Sequence, residues 1–224
     1  MITAIIQNEK SGVPVVATGT LLAEKFKKDF RQVLASEVEN LAEFCEREEV
    51  SFLLMQLAEN RASILQKQLN ACHDLRIPYI FYKNDFKILE AKKILVPVTF
   101  LEEEIEKAQF AAAFGRFFGT SITVLQANDY GSKAKITVRK MINLLDKFSL
   151  AYEVKIARRD SFKLEKEAVE IAEKENYDLL LISASRTYGL DDVIFGPHER
   201  KTVLQSRVPV ILVNPRADLY ALCD

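Results

Sequence analysis

The sequence predicts an α/β protein organised around a parallel β-sheet. Short apolar segments rich in β-branched residues alternate with longer segments whose apolar residues recur every three or four positions. The first pattern is typical of buried strands and the second of amphipathic helices. Over residues 92–214 the alternation repeats four times and ends on a strand, which predicts an open five-stranded parallel sheet with helices on both faces. Residues 1–90 resemble a smaller, incomplete copy.

The second half of the chain, residues 91–224, shows this alternation most clearly. Its last strand is predicted either as parallel or as an antiparallel edge strand. Ser161 is placed to cap the third helix, with Glu165 supporting the helix start. Gly119 is a suitable stop for the first helix. The predicted strands are 92–100, 120–128, 150–158, 178–185 and 209–214, and the predicted helices are 101–119, 135–149, 161–177 and 198–207.

The first half, residues 1–90, has a weaker pattern. Residues 20–49 form one long helical pattern or two helices, residues 61–77 form another, and residues 84–91 connect the halves. The tails of the two halves are alike: a strand, a helix and then RIPYIFYK in one, RVPVILVN in the other. This similarity indicates an internal repeat whose first copy has lost about two strand-helix units. The predicted strands are 2–7, 13–19, 51–57 and 78–83.

The overall composition excludes several functional classes. Lys and Arg number 31 against 32 Asp and Glu, so there is no basic field to attract nucleic acid. No apolar segment is long enough to span a bilayer, and the N-terminus lacks the pattern of a secretory leader. Three widely spaced cysteines and two histidines make a zinc site improbable, and Cys45 and Cys72 lie in apolar helical patterns. We therefore expect a cytoplasmic protein with no membrane insertion and no bound metal.

Four segments of the second half, in order and spacing, resemble the universal stress protein family. They are KKILVPV, the Gly-x-Ser-Ile-Thr-Val junction at 119–124, YDLLLIS and the closing VPVILV. The resemblance covers about 125 residues and implies the adenine nucleotide hydrolase-like fold of that family. It also implies a tandem form in which the domain at 1–90 is incomplete and the domain at 91–224 is whole.

The resemblance also identifies candidate cofactor-binding residues. Nucleotide-binding members carry a glycine, two residues, a second glycine, nine residues, and then Gly-Ser or Gly-Thr. The matching positions here are Ser183, Arg186, Gly196 and Pro197, so the spacing is kept but only one of the three glycines remains. The acidic residue that follows the first strand in such members corresponds to Thr99.

These departures predict weak or no binding of ATP or AMP. Phosphate-binding loops rely on bare backbone N–H groups, often at a helix N-terminus. Pro197 has no N–H, and Ser183 and Arg186 add side chains where the family has none. Arg186 is itself a suitable phosphate ligand. The carboxyl ends of parallel strands also favour ligand sites, so the sequence leaves open the alternative that this site binds a different small ligand.

We expect no catalytic activity. The chain has no recognisable nucleophile motif, and His198, Arg158 and Arg159 are interpreted as surface residues. The acidic run Glu102–Glu104 is interpreted as charge that complements the start of a helix. The leading hypothesis is a binding or regulatory protein of the stress response. The alternatives are an ATP- or AMP-binding universal stress protein, an enzyme of the wider adenine-nucleotide hydrolase-like superfamily, and a cytoplasmic regulatory module of a membrane transporter.

The repeated strand endings lead to a prediction about assembly. Domains of this family commonly pair through their last strands, and this one chain contains two such strands. We expect the strand at Ile80 to pair antiparallel with the strand at Leu212, which gives an intramolecular pseudo-dimer and protects both edges. The incomplete first half should leave an edge or apolar face uncovered, so a homodimer is favoured over a monomer.

Overall fold

The computed structural model describes residues 1–57, 59–184 and 198–215. Within these residues the chain alternates strands and helices. The strands are β1 (Ile2–Ile6), β2 (Phe30–Leu34), β3 (Phe52–Leu57), β4 (Tyr79–Lys83), β5 (Lys93–Val98), β6 (Ser121–Gln126), β7 (Tyr152–Ile156), β8 (Leu179–Ser183) and β9 (Val210–Val213). The helices are α1 (Val13–Phe26), α2 (Leu41–Arg47), α3 (Ala62–Cys72), α4 (Lys107–Phe118), α5 (Lys133–Lys147), α6 (Leu164–Lys174) and α7 (His198–Gln205).

All of these strands join one nine-stranded sheet in the order β2-β1-β3-β4-β9-β8-β5-β6-β7. The five strands of the second half are mutually parallel, as predicted. The expected five-stranded sheet is nonetheless only part of a larger sheet. The four strands of the first half are parallel to one another and continue it, with β4 next to β9. The alternative of an antiparallel edge strand is wrong: β9 lies inside the sheet and runs parallel to β8.

The two halves meet where β4 pairs antiparallel with β9. Tyr79 lies opposite Leu212 and Ile80 opposite Ile211, which confirms the predicted pairing of these two strands. The strands of one half run antiparallel to those of the other. The carboxyl ends of the strands in the two halves therefore point in opposite directions along the strand axis. Neither β4 nor β9, the last strand of each half, is left as an open edge, and this removes the aggregation risk that an open edge at these strands would carry.

Two polar side chains at this junction satisfy helix ends in the opposite half. Lys83, at the end of β4, donates from Nζ to the carbonyls of Leu204 and Ser206 at the end of α7, at 2.9 and 2.7 Å. Asn214, just after β9, donates to the carbonyls of Cys72, His73 and Leu75 at the end of α3, at 2.6, 3.0 and 2.9 Å. The last carbonyls of a helix have no partner within it, so these side chains stabilise α3 and α7. Lys83 and Asn214 occupy matching positions of the internal repeat.

Helices cover both faces of the sheet, and each face carries a continuous apolar core that crosses the junction. Buried side chains from α2, α3, α6 and α7 pack on one face. Those from α1, α4 and α5 pack on the other. The connector between the halves also contributes, since Phe86, Leu89 and Ala91 are buried. Cys45 and Cys72 are buried, and burial raises the pKa of the Cys45 thiol to about 11.

The first half departs from the prediction in two places. The segment 13–19 begins α1 and is not a strand: Pro14 occupies the first helical turn, and Val15, Thr18, Gly19 and Leu22 form its buried face. The long helical pattern at 20–49 is interrupted by β2, after Lys27 ends α1 in a left-handed conformation. With β2 present, the first half has four strands against five, so it lacks one strand and not two strand-helix units.

The helix starts of the second half also differ in detail. The predicted helix at 101–119 begins with a 3₁₀ turn at Glu102–Glu106, and Gly119 ends it at a φ of +68°, as predicted. Ser161 does not cap the third helix, because it opens a 3₁₀ turn at Ser161–Lys163 and its side chain bonds elsewhere. The third strand, β7, is largely exposed at the edge of the sheet.

Candidate functional site

A cavity of about 540 Å³ lies at the carboxyl ends of β5 and β8 in the second half. Its volume falls within the range of small-molecule sites, and its position is the one that open parallel sheets favour. Parts of the chain that follow β5 and β8 form its floor, and the starts of α6 and α7 form its walls. Its lining includes Thr99, Phe100, Glu104, Ser161, Phe162, Lys163, Glu165, Lys166, Ser183, Glu199, Lys201, Thr202 and Gln205.

A buried ion pair occupies the end of β5. Lys107 is 1% exposed, and its Nζ lies 2.6 Å from an Oε2 of Glu104. The same ammonium donates to the carbonyl of Pro97. The Glu104 carboxylate also accepts the backbone N–H of Thr99 at 3.2 Å. The polar groups that follow β5 are therefore already bonded to one another.

A second acidic group lies between α6 and α7. The Thr202 hydroxyl donates to Oε2 of Glu165 at 2.7 Å. Burial raises the pKa of Glu165 to about 7, and the negative charges of Glu199 and Glu104 add to the rise, while Thr202 and Lys107 oppose it. Glu199 is 2% exposed. The interior of the cavity is thus acidic, and one of its carboxyl groups changes charge near neutral pH.

The mouth of the cavity carries an aromatic pair and a fixed hydroxyl. The rings of Phe100 and Phe162 meet edge to face at 6.0 Å, and Phe162 is largely exposed. Ser161 donates from its hydroxyl to the Asp129 carboxylate at 2.5 Å and accepts the backbone N–H of Phe100 at 3.2 Å. The Ser161 hydroxyl is therefore held by the carboxylate, and it ties the start of α6 to the loop after β5.

Three exposed lysines, Lys163, Lys166 and Lys201, line the outer part of the cavity. They place positive charge near the solvent, while the carboxylates lie inside. An anionic ligand group is therefore favoured at the rim and opposed in the interior.

The structure brings two of the four sequence-predicted site residues together. Thr99 and Ser183 both line the cavity, at the ends of β5 and β8. Arg186 and Gly196 lie outside the described residues, as does Pro197. Arg158 and Arg159 give their backbone N–H groups to the Glu167 carboxylate, and the Arg159 guanidinium pairs with Glu170 at the surface, as the surface interpretation expected.

Sequence reasoning missed the groups that dominate the interior, namely Glu104, Lys107, Glu165, Glu199 and Thr202. Glu104 and Glu165 were interpreted only as aids to helix starts. The sequence marks neither of the paired residues as buried, because Lys107 follows the charged segment EEEIE. Only the i, i+3 spacing of Glu104 and Lys107 is compatible with an ion pair on one helical face.

The matching position in the first half is filled by protein. Gln56 corresponds to Ser183 in the repeat and is 2% exposed at the end of β3. Its side chain accepts the backbone N–H of Gln7 at 2.8 Å and donates to Ser11 and Asn84 at 2.8 and 2.9 Å. All of its hydrogen-bonding groups are used, so the candidate site belongs to the second half.

Two searches of the described residues bear on other classes of site. In residues 1–57, 59–184 and 198–215 no cluster of three or more His, Cys, Asp or Glu side chains is arranged to hold a metal ion. Across the same ranges, none of the helices combines the length and hydropathy needed to cross a membrane.

Comparison with known proteins agrees with this architecture. The model of the universal stress protein family matches residues 90–214. A universal stress protein from Archaeoglobus fulgidus DSM 4304 is similar in structure, with a TM-score of 0.66 at 12% identity over 96% of this chain and 98% of that one.

Two structures from Pseudomonas aeruginosa are also similar over nearly the whole chain. A putative universal stress protein from strain UCBPP-PA14 has a TM-score of 0.56 at 12% identity, covering 98% of this chain and 84% of its own. A functionally unknown protein from strain PAO1 has a TM-score of 0.57 at 10% identity, covering 98% and 83%. No curated protein matches the sequence. The structural likenesses extend across both halves, and at these identities they concern the fold.

Proposed function

This chain belongs to the universal stress protein family, and we propose that it is a non-catalytic binding or regulatory member with weak or no affinity for ATP. The carrying observation is the acidic interior of the cavity at the carboxyl ends of β5 and β8. Glu104 and Glu199 are 5% and 2% exposed there, and Glu165 lies beside them. A polyphosphate that passes the lysines at the rim meets these carboxylates in the interior.

The electrostatic cost of that encounter is substantial. A phosphate charge at 4 Å from a carboxylate is opposed by about 4 kcal/mol at the effective dielectric of a protein surface. Lys107 and Glu104 form an ion pair whose charges largely cancel, so the pair offers a phosphate little net attraction. The Thr99 N–H, a donor that a phosphate would need at the end of β5, is already bonded to the same carboxylate. Both features favour a ligand other than ATP.

The absence of an activated nucleophile in the described part of the cavity supports a non-catalytic role. Ser161 is the hydroxyl held most firmly, but its partner is the Asp129 carboxylate and not an imidazole. Nucleophilic catalysis by serine needs a base that takes the proton and later returns it, and this pair lacks such a group.

One observation favours the alternative of an ATP- or AMP-binding protein. The exposed lysines Lys163, Lys166 and Lys201 surround a cavity large enough for a nucleotide. A nucleotide with its phosphates at this rim would avoid the interior carboxylates.

A thermal-shift experiment separates these two functions. We expect millimolar Mg-ATP or AMP to leave the melting temperature of the full chain unchanged. A ligand at 100 times its Kd stabilises a fold by about 2.7 kcal/mol, which is a shift of several degrees for a chain of this length. A shift of that size in the wild type would refute weak binding and favour the alternative.

Two variants identify the cause. Glu199→Gln removes an interior charge and should create or increase a shift with Mg-ATP, whereas Glu170→Gln, an exposed change on α6, should not. If neither variant responds, the acidic interior is not what opposes ATP. Release of inorganic phosphate that scales with protein concentration would contradict the non-catalytic assignment.

We also propose that the chain forms a homodimer in addition to its internal junction. β2 ends the sheet without the additional strand that β7 provides in the second half, and Arg31 and Gln32 are exposed along it. The unpaired backbone groups of this edge suit a second copy of the chain. Sedimentation equilibrium should give twice the chain mass, and a monomer at micromolar concentration would contradict the proposal.

A further inference from the structure

Helix α7 lies between the cavity and the first half of the chain, and it contacts both. Glu199, Thr202 and Gln205 line the cavity. On another side, the Arg200 guanidinium donates to the Gln66 side chain of α3 at 3.1 Å, and Val203 is buried in the core shared by the two halves. This eight-residue helix, about 12 Å long, therefore has little surface that is free to adjust independently.

The end of α7 is fixed by the first half. Lys83 donates to the carbonyls of Leu204 and Ser206, and the Asn60 amide donates to Leu204 at 3.4 Å. Lys83 is 7% exposed, so water is a poor substitute for the carbonyls it contacts. Lys83 also belongs to β4, the strand that pairs with β9, and β9 follows α7 after a few residues. A shift of α7 must disturb these contacts together.

We propose that α7 couples the state of the cavity to the junction between the two halves, so that the first half senses what the cavity holds. The first half, whose own site is filled by Gln56, then acts as the responding part of the molecule. Coupling of this kind is reciprocal: a contact at the junction that holds α7 must alter the cavity, and a change in the cavity must alter the junction. The inference rests on the proposed function only in taking the cavity as the ligand site.

Glu165 provides a way to observe the cavity without a ligand. It bonds to Thr202 on α7. The charges that act on it come from Glu199 on α7, from Lys107 at the start of α4 and from Glu104 in the 3₁₀ turn before α4. The other charged residues that line the same cavity are Glu103, Lys163, Lys166 and Lys201. If α7 moves away, water reaches the Glu165 carboxyl, and its titration midpoint falls towards the ordinary value for glutamate.

The first experiment alters the junction and measures the cavity. Lys83→Met removes the donor to the end of α7, and carboxyl-carbon NMR of the full chain follows the titration of Glu165. We expect the midpoint to fall by at least about half a pH unit, a threefold change in the ionisation constant. Lys83→Arg, which keeps a donor, should restore most of the midpoint. Asn214→Ala, which weakens the junction at α3 and not at α7, should leave it unchanged.

The second experiment alters the cavity and measures the junction. Thr202→Val removes the hydroxyl bonded to Glu165 with little change in volume, and hydrogen exchange follows the backbone amides of β4 and β9. We expect these amides to exchange at least about threefold faster, in line with local opening of the junction. Thr202→Ser should behave as the wild type. Thr137→Val, which removes a buried hydroxyl on α5 bonded only to its own helix, should have no effect at the junction.

An unchanged Glu165 midpoint in Lys83→Met, or unchanged β4 and β9 exchange in Thr202→Val, would overturn the coupling. Equal effects from the Asn214 or Thr137 controls would also overturn it, because the response would then be general loosening. Neither readout uses a nucleotide. The coupling therefore stands or falls independently of whether ATP binds.

Discussion

Asn214→Ala tests a set of hydrogen bonds by which one side chain of the second half holds the first half. The Asn214 amide donates to carbonyls at the end of α3, and its Oδ1 accepts the Tyr79 hydroxyl at 2.9 Å. Tyr79 is 1% exposed, so loss of this acceptor is not fully replaced by water. The amide has two N–H groups for three nearby carbonyls, so it makes two full donated bonds at once. Two donated bonds and one accepted bond at about 1 kcal/mol each give a loss of about 3 kcal/mol in the free energy of unfolding. For a chain of this length that is a fall of roughly 6–12 °C in Tm.

Urea unfolding followed by circular dichroism measures this loss directly, because a change in midpoint at constant slope reports stability alone. Asn70→Ala is the matched control: it removes an exposed asparagine from α3 that bonds only to Gln66 on the same helix. The control should change stability by less than about 0.5 kcal/mol. If Asn214→Ala is equally mild, the side chain does not hold the end of α3 and our account of the junction is wrong.

Two further predictions concern pH and strand pairing. The pKa of Glu165 is raised from 4.5 to about 7, so the folded chain keeps a proton that the unfolded chain has released, and stability should fall as pH rises from about 4.5 to 7. Glu165→Gln should flatten this part of a pH–Tm profile and be more stable than the wild type at pH 8; a steeper profile would contradict the reasoning. Leu212→Pro should destabilise the whole chain by about 3 kcal/mol or more, because β9 is paired on both sides. If it keeps its Tm and changes only the oligomeric mass measured by light scattering, β9 pairs between chains.

The second half of the fold was readable from sequence because its elements are locally self-consistent. The helical periodicity of α5 and α6 and the apolar strands β5 and β8 all lie where their patterns placed them. Gly119 ends α4 in the left-handed conformation that glycine adopts readily. In these segments local preference and tertiary environment point to the same structure.

The first half was harder because two local patterns there are ambiguous. The valines at the start of α1 are typical of a strand, but they lie in a helix that packs Val15 and Leu22 against the sheet. In β2 only Val33 is fully buried, so the strand lacks the apolar run that marks its neighbours. An edge strand with two exposed polar residues has only a weak alternation of apolar and polar residues. Such a pattern does not distinguish the strand from the helical patterns on either side of it.

The candidate site was only partly predictable, for a different reason. Thr99 and Ser183 were found because the family resemblance points to two positions at strand ends, and parallel strands bring their ends together. The ion pair of Lys107 with Glu104 and the contact of Glu165 with Thr202 depend on which faces of three helices meet. That information is absent from the spacing of any one segment.

The sequence by itself determined the alternation of strands and helices in the second half, the family resemblance, and the pairing of the two terminal strands. The alternation follows from periodicity, a property of residues close together along the chain. The pairing follows from the repeated strand endings together with what the family resemblance implies about such strands. Only the tertiary structure decided that β2 joins the sheet of the first half, that Lys83 and Asn214 hold helices in the opposite half, and that the cavity is acidic inside. Each of these depends on residues far apart in the chain, and the energy of a buried charge or donor is set by the partner it meets there.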